Sequence, residues 1–351
     1  MSGRRVAVLL IAAIAVVIGA IWLASQRRLE RARLPGDLVL PGLEHHVSEV
    51  TQLSLAKGNG TRTTLKKDAS GWNVAERSWP ADAGKARKLL FDLGALNIVE
   101  EKTRVAANYP QLGVEDVSSP AATGTLIELE TPGHTWKLIV GKSSSGKSGY
   151  VRVANSPQSF LAAPLLTVDA DPKSWLDHAL IDLSAQRVRQ IEERPASGPA
   201  FTATRNKKEE SAFAVGPLPK GRELTGPAAA EPIAAALSSL TLDDLAKASG
   251  AAAAGVSQAT FRTFDGLEVQ VSGHKDGERS LILISARSTD TATAGEAQKL
   301  SARLAGWEFS IPDYKYAVIF KPLEELLKKP PEPTKKPAKP VKPSPGKSTG
   351  P

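Results

Sequence analysis

Short stretches of alternating apolar and polar residues recur along the first half of the chain. Because successive side chains of a strand point to opposite faces of a sheet, these stretches predict half-buried strands. Turn residues separate them, as at Gly58-Asn59-Gly60, which favours hairpins between neighbouring strands. The predicted strands of this half cover residues 49–55, 61–67, 72–74, 125–130, 135–140, 149–153 and 159–161.

A helical spacing of apolar residues interrupts this series after Pro80. Asp82 stands where a short polar side chain caps the first turn of a helix, and the apolar residues that follow lie on one face. The sequence therefore predicts an amphipathic helix here, whose buried face consists of Ala86, Leu89, Leu90, Leu93 and Leu96.

The second half of the chain has the same order of predicted elements. A helix is predicted after Pro232, a favourable first helical residue, with Ile233, Ala236, Leu237 and Leu240 on one face. We interpret the chain as an α+β protein built by tandem duplication of a mostly antiparallel β-rich unit, with one main helix in each copy (47–183 and 184–327). The order is shared without strong residue identity, so a chance resemblance is the alternative hypothesis. The predicted strands of the second copy cover residues 187–191, 200–205, 212–215, 259–264, 267–271, 280–284 and 307–311.

Residues 6–24 are apolar and contain no charge. At about 1.5 Å per residue, a helix of this length spans roughly 28 Å, close to the thickness of a hydrocarbon core. Trp22 suits the interface at one end, and Arg27 and Arg28 suit the headgroups beyond it. The sequence predicts a transmembrane anchor at 6–24, a cytoplasmic N-terminus at 1–5 and a linker at 25–46. The alternative, a cleaved signal peptide, places Trp22 or Leu23 where cleavage requires a small residue.

The formal net charge of +8 is concentrated in the two flanks of the chain. Residues 1–34 contain six arginines and one glutamate, and residues 328–351 contain seven lysines and one glutamate, so the stretch between them is net negative. A nucleic-acid-binding fold carries its basic surface on the folded domain, and this class is therefore set aside. The chain contains no cysteine, which excludes disulfides, thiolate metal sites and cysteine nucleophiles.

Residues 328–351 are rich in proline and lysine and offer almost nothing to bury. This composition predicts a disordered, extended tail. Its lysines suit contact with anionic lipid or an anionic wall polymer, and a solubilising tether is the alternative hypothesis.

Several short motifs of the first copy resemble the domain-of-unknown-function 4340 family. They are Gly71-Trp72 before Pro80-Ala81-Asp82, Leu112-Gly113 after Tyr109, Ile139-Val140-Gly141, Gly149-Tyr150-Val151-Arg152, and Trp175-Leu176-Asp177. The resemblance covers roughly residues 47–325 and is better in the first half. It implies a membrane-anchored extracytoplasmic protein, often encoded near ABC-type transporters and gliding-motility-like components. The family offers no catalytic residues to transfer.

Residues 141–148 match the phosphate-loop pattern GxxxxGK[ST], with Gly141, Gly146, Lys147 and Ser148 at its defining positions. That site needs a helix directly after the loop, because the amides of the helix N-terminus bind the phosphates. The residues from Gly149 onward alternate as in a strand instead. We therefore interpret the segment as a hairpin loop and expect no nucleotide cofactor.

Histidines offer few other candidates for chemistry. The pair His45-His46 needs a distant carboxylate to complete a zinc site, and Asp177 and His178 are neighbours on a turn that do not face each other. We therefore expect no metal, no cofactor and no catalytic residue. The five tryptophans of the folded region suit core packing, with a sugar-binding face as the alternative.

The sequence as a whole predicts a non-enzymatic accessory or scaffold protein. We expect it to be a single-pass protein of a bacterial inner membrane, with its bulk in the periplasm or extracytoplasmic space. The expected partner is an ABC-type permease or another membrane subunit of a transport or motility complex. The alternatives are an extracytoplasmic enzyme that acts on envelope polymer and an envelope tether that uses the Lys/Pro tail.

Overall fold

The described chain forms two units, divided between His178 and Ala179. The computed structural model describes residues 34–144, 146–249 and 255–329. The predicted anchor at 6–24, with the residues before it, and the predicted tail from residue 330 onward lie outside the described residues. Within the described ranges, no helix has the length and apolar character needed to cross a membrane.

Unit 1 (residues 34–178) is built on an antiparallel sheet that has nine strands in the described part of the chain. Their order is β4-β3-β2-β1-β6-β7-β8-β9-β5. The strands are β1 Gln52–Lys57, β2 Arg62–Asp68, β3 Gly71–Val74, β4 Trp79–Pro80, β5 Asn97–Glu101, β6 Thr125–Glu130, β7 Thr135–Ser143, β8 Gly149–Val153 and β9 Ser159–Ala163. The helices are α1 Leu43–His46, α2 Ala83–Gly94 and α3 Tyr109–Leu112, with 3-10 turns at Val47–Glu49, Ala106–Asn108 and Pro172–Trp175.

The helix predicted after Pro80 is confirmed as α2. The Asp82 side chain accepts a hydrogen bond from the Lys85 backbone N–H at 2.9 Å, which satisfies a donor of the first turn. The face that packs on the sheet consists of the predicted Ala86, Leu89, Leu90 and Leu93, and Leu96 is buried just beyond the helix.

Unit 2 (residues 179–329) is built on an antiparallel sheet with eight strands in the described part of the chain, in the order β13-β12-β11-β16-β17-β18-β19-β15. A small second sheet pairs β10 with β14. The strands are β10 Ala179–Ile181, β11 Val188–Arg194, β12 Phe201–Thr204, β13 Ala214–Gly216, β14 Leu240–Thr241, β15 Asp244–Lys247, β16 Ser257–Thr263, β17 Leu267–Asp276, β18 Arg279–Ser288 and β19 Trp307–Ile311. The helices are α4 Glu231–Ala234, α5 Thr291–Leu304, α6 Asp313–Ile319 and α7 Leu323–Leu326, with a 3-10 turn at Ala185–Arg187.

The prediction of a main helix after Pro232 is wrong. Only α4 forms there, and Leu240 already belongs to β14. The Ser238 hydroxyl donates to the Leu183 carbonyl at 2.9 Å, and the Ser239 N–H donates to the Asp182 carboxylate at 2.8 Å. These bonds compete with helical ones and turn the chain, so the apolar residues are buried without continuing a helix.

The longest helix of unit 2, α5, lies between β18 and β19, where the sequence predicted none. Asp290 caps it by accepting from the Ala292 N–H at 2.9 Å. Its buried residues are Thr293, Ala297 and Leu304. Because two of these are small or polar, the apolar spacing that marks a helix is weak here.

The α+β class with antiparallel sheets is confirmed. With β4 left aside, the two large sheets also have the same strand order: β1 lies between β2 and β6 in unit 1, and β11 lies between β12 and β16 in unit 2. The edge strands β5 and β15, each paired with the last strand of its sheet, occupy matching places.

Candidate functional site

The sheet of unit 2 has one buried face and one open face. Along β17, Val269 and Val271 point to the buried face, as does Gly273, against which Phe320 packs. The alternating partners Gln270, Ser272 and His274 point to the other side. That side is polar and partly exposed, and we call it the open face.

A cleft of about 370 Å³ lies at one end of the open face. Register partners place its residues side by side, since His274 pairs with Leu281, Leu281 with Ser310, and Ser310 with Asp244. The cleft thus crosses four strands in the order β17, β18, β19 and β15. It is lined by Asp244, Leu245, Ala246, Ser249, His274, Asp276, Arg279, Leu281, Glu308 and Ser310.

Among the described residues that line this cleft, carboxylates outnumber cations. Asp276 forms an ion pair with Arg279 across the β17–β18 turn. Glu308 lies 3.9 Å from His274 Nε2, which is too long for a hydrogen bond, and both side chains are less than one-fifth exposed. The arrangement suits a cationic ligand, and it also places an imidazole near a carboxylate, as proton transfer requires.

The rest of the open face carries a ladder of alternating charges. Arg262 contacts Glu192 at 3.1 Å and Glu268 at 2.9 Å, and Arg287 contacts Glu268 at 2.6 Å. The ladder crosses β11, β16, β17 and β18. The hydrogen bond from Arg262 holds the pKa of Glu192 below its ordinary value. Because these charges satisfy one another, the ladder stabilises the face and leaves the cleft as its candidate binding region.

The corresponding face of unit 1 is covered by the chain itself. Leu126 pairs with Ile139, and Ile139 with Arg152, so these three side chains share one face. Tyr109 and Val114 pack on Ile139 there, in the segment that connects β5 to β6. This connection, residues 102–124, is much longer than its counterpart in unit 2, residues 248–256. We call residues 109–114 the cover segment.

Gly141 allows the cover segment to approach the sheet. A Cβ at this position would meet the Leu112 carbonyl oxygen and a methyl group of Val114. The residue two places after Ile139 on β7 is Gly141, whereas the residue two places after Ser272 on β17 is His274. When Ile139 and Ser272 are matched through the shared strand order, Gly141 under the cover segment corresponds to His274 in the cleft.

We expect Gly141→Ala to displace the cover segment and to lower the free energy of unfolding by about 1–3 kcal/mol. The reason is that the backbone atoms of the cover segment can make room for the added methyl group only by shifting the segment itself. The measurement is urea denaturation together with protease cleavage within residues 102–124. Gly133→Ala is the matched control, since a Cβ at that turn position meets nothing within 4 Å. Equal stability of the two variants would contradict the packing described.

The residues that match the phosphate-loop pattern lie at the hairpin between β7 and β8. Gly141 is within β7, and Gly146, Lys147 and Ser148 precede β8 directly, so a strand follows the motif. The Ser144 N–H donates to the Ser148 carbonyl at 2.9 Å across the turn. Lys142, the second residue of the motif, donates to the carbonyls of Pro110 and Gln111.

The histidines weighed in the sequence do not gather into a metal centre. His46 contacts Glu49 at 2.8 Å and stacks on His134, with ring centroids 4.8 Å apart. His45 lies 3.5 Å from Glu44. Across the described residues, no three histidine or acidic side chains are grouped as metal ligands. The backbone carbonyl of Asp177 accepts a hydrogen bond from the indole Nε1–H of Trp79, in β4, at 2.9 Å.

The cleft residues were missed by the sequence analysis. Gln270, Ser272, His274 and Asp276 form a polar set with a spacing of two along β17, which is the available signal. Their meeting with Glu308 depends on strand order, which the spacing alone does not give.

These features define an antiparallel α+β protein of two units, in which the matching face of the large sheet is covered in unit 1 and open in unit 2. A family model described as "Domain of unknown function (DUF4340)" matches residues 72–259. The match covers more than half of the chain, and the chain therefore belongs to this family. It begins in β3 and ends in β16, so it includes Asp244 of the cleft but neither His274 nor Glu308. No curated protein and no solved structure matches the chain.

Proposed function

We propose that this protein is a membrane-anchored, extracytoplasmic accessory protein that presents two sheet units to a membrane partner and performs no catalysis itself. The observation that carries the proposal is the uncharged stretch 6–24, which nine residues separate from the first described residue, Leu34. A helix of that length suits a bilayer. Such a short connection would keep unit 1 close to the membrane surface.

The shared strand order supports a tandem duplication of one β-rich unit. Two copies of one sheet, one with a covered face and one with an open face, suit a scaffold in which one copy has kept a surface for binding. The open face and the cleft would then be the partner-binding side of unit 2.

The partner that we propose is a permease or another membrane subunit of an ABC-type transport or motility complex, in a bacterial inner membrane with the two units on its outer side. The family resemblance supports this choice of partner. The short connection to the anchor supports it as well, because a unit held near the bilayer meets the extracytoplasmic loops of a permease.

The test is a chain that lacks residues 6–24. We expect it to move from the membrane fraction to the soluble fraction and to lose co-purification with a permease, because the anchor supplies both location and proximity. A matched control replaces residues 6–24 by an unrelated uncharged apolar helix and should retain membrane association. A reporter fused after residue 327 checks the side of the membrane. Retention of the shortened chain in the membrane, or a reporter on the cytoplasmic side, contradicts the proposal.

One observation favours a second candidate function, an enzyme that acts on envelope polymer. The cleft places His274 near Glu308 with Ser310 alongside, which is the kind of set that acid–base chemistry uses. Glu308→Gln and His274→Asn would then abolish the release of fragments from cell-wall material, while the fold would persist. Identical release by these variants and by the unchanged protein removes this candidate.

A further inference from the structure

Unit 1 has a groove of about 450 Å³ that shares no residue with the cover segment. It lies where three parts of the unit meet: α1 with the 3-10 turn after it, helix α2, and the hairpin of β2 and β3. Small-molecule sites have volumes of about 300–1,000 Å³. The groove is therefore large enough for a small ligand, and its walls come from segments that only the fold brings together.

The rim of the groove carries two cations that no carboxylate neutralises. Lys67 comes from β2 and Arg87 from α2, and both residues are exposed. Lys67 Nζ donates to the Ser48 carbonyl at 3.4 Å, and Arg87 Nε donates to the Ala83 carbonyl at 3.1 Å. Within the described ranges, neither side chain forms an ion pair, and the two Nη groups of Arg87 contact no acceptor. Their donors are therefore available to a ligand.

Neighbouring cations of unit 1 are paired. Lys88, the next residue of α2, forms an ion pair with Asp92, and on the sheet Lys137 pairs with Glu128 at 2.7 Å. The groove itself has one carboxylate among its described lining residues, Glu44, which lies 3.5 Å from His45. Two permanent cations thus face one carboxylate, and this part of the surface favours an anion.

The floor of the groove is apolar. Trp72 and Leu90 line it and are only 7% and 4% exposed. Lys67 Nζ lies 6.0 Å from the centre of the Trp72 ring, so the charged rim and the apolar floor adjoin. A bare anion would satisfy the rim alone. A ligand that joins an anionic group to an apolar group would contact both parts.

We propose that this groove binds a phosphate group carried on an apolar body, with Arg87 and Lys67 as its donors. A guanidinium binds two oxygens in one plane, and an ammonium group adds a compact charge from another direction. The oxygens of a phosphate surround a tetrahedron and can accept from α2 and β2 at once, whereas a carboxylate offers two oxygens in a plane. The source of this chemistry is a phospholipid headgroup or a soluble phosphorylated molecule. The proposal goes beyond the accessory function and depends on neither the anchor nor the cleft of unit 2.

The test is calorimetric titration of the full-length chain in a non-ionic detergent. The probes are phenyl phosphate and inorganic phosphate. We expect phenyl phosphate to bind about tenfold more tightly, since burial of about 60 Å² of apolar surface corresponds to that factor. Phosphatidylglycerol or phosphatidylcholine, added to the micelles as competitor, identifies the source. Displacement by phosphatidylglycerol assigns a lipid headgroup, and failure of both lipids to displace the probe assigns a soluble ligand. Either outcome supports a phosphate site.

Matched variants connect the binding to the groove. Arg87→Gln and Lys67→Gln should each weaken phenyl phosphate binding at least about tenfold, as expected for a lost hydrogen bond to a charged group. Lys88→Gln and Lys66→Gln remove the same charge from the adjacent residues, which do not line the groove, and should leave the binding unchanged. Glu44→Gln should strengthen it by a factor of about 1.4–5, because a negative charge leaves the rim.

All of these variants replace exposed side chains, and thermal melting checks that each one is folded. Absence of phenyl phosphate binding, or equal weakening by Arg87→Gln and Lys88→Gln, overturns the proposal. Inorganic phosphate that binds as tightly as phenyl phosphate overturns the part assigned to the apolar floor.

Discussion

Glu193→Gln is expected to flatten the dependence of unit 2 stability on pH. Glu193 points to the buried face of β11, is 1% exposed, and neither carboxylate oxygen has a hydrogen-bond partner among the described residues. Burial raises the pKa of Glu193 to about 9, from 4.5 in the unfolded chain. The folded state therefore holds a proton that the unfolded state releases. This contribution to stability is complete below pH 4.5 and is lost as the pH rises to about 9, by up to about 1.4 kcal/mol per pH unit.

The measurement compares urea denaturation at pH 5 and pH 8, with pulsed hydrogen–deuterium exchange of the β11 peptide to follow unit 2 separately. Glutamine has no proton to lose, so the variant should lose less stability than the unchanged chain between these values. Glu193→Met, which also removes the unpartnered polar atoms, should raise stability at pH 8 by about 1–3 kcal/mol. Equal pH slopes for the unchanged chain and Glu193→Gln would contradict a buried, neutral carboxyl group.

The neighbouring residue, Glu192, provides a control whose contribution to stability changes with pH in the opposite direction. Glu192 lies on the open face, where the hydrogen bond from Arg262 lowers its pKa. Its contribution to stability is therefore present above its ordinary pKa and is lost as the pH falls. Glu192→Gln should differ from the unchanged chain most at neutral pH and least in acid, which distinguishes a specific effect of Glu193 from a general effect of removing a carboxylate.

Strands were predictable from the sequence wherever one face of the strand is buried and the other is exposed to solvent. Residues 125–130 illustrate this, because Ile127 and Leu129 are buried while Glu128 and Glu130 remain partly exposed. The same alternation found β16 and β19. It did not find the edge strands β5 and β15, since only one side chain of each is buried and the pattern is too short.

Helices were predictable only where burial required large apolar side chains. Helix α2 buries three leucines at helical spacing, whereas α5 packs through Thr293, Ala297 and Leu304. In the Pro232 region the spacing was present but local hydrogen bonds from Ser238 and Ser239 decided the conformation. A pattern of burial specifies which side chains lie inside, and local polar competition decides the backbone that brings them there.

The candidate site was not predictable, because it depends on which strands lie side by side and on the fact that, among the described residues, no segment packs on the open face as the cover segment does in unit 1. His274 and Glu308 are thirty-four positions apart and meet only because β18 lies between β17 and β19. Only once β5 and β15 are known is it clear that the connection after β5 is long and that the connection after β15 is short. Without the strand order, however, nothing relates those lengths to the same face of each sheet.

Arg152→Met is expected to lower the free energy of unfolding of unit 1 by about 2–5 kcal/mol, because two backbone carbonyls lose their charged donor at about 1–3 kcal/mol each. The guanidinium of Arg152 is 3% exposed and donates to the Val114 carbonyl at 2.8 Å, the Ser156 carbonyl at 3.1 Å and the Asp116 carboxylate at 2.7 Å. It also lies 4.6 Å from the centre of the Tyr109 ring. Methionine fills similar volume but leaves the carbonyls without donors, so the cover segment should detach first.

Arg152→Lys separates the charge of this residue from its geometry. An ammonium group carries the same charge, yet it cannot direct donors to three acceptors in the plane of a guanidinium, and we expect most of the loss to remain. Urea denaturation and protease cleavage within residues 102–124 measure both effects. Arg62→Met, on the exposed side of β2 in the same unit, is the control and should change stability by no more than about 0.5 kcal/mol. Full rescue by lysine would mean that charge alone holds the cover segment, and it would contradict the role assigned to the three directed hydrogen bonds of the guanidinium.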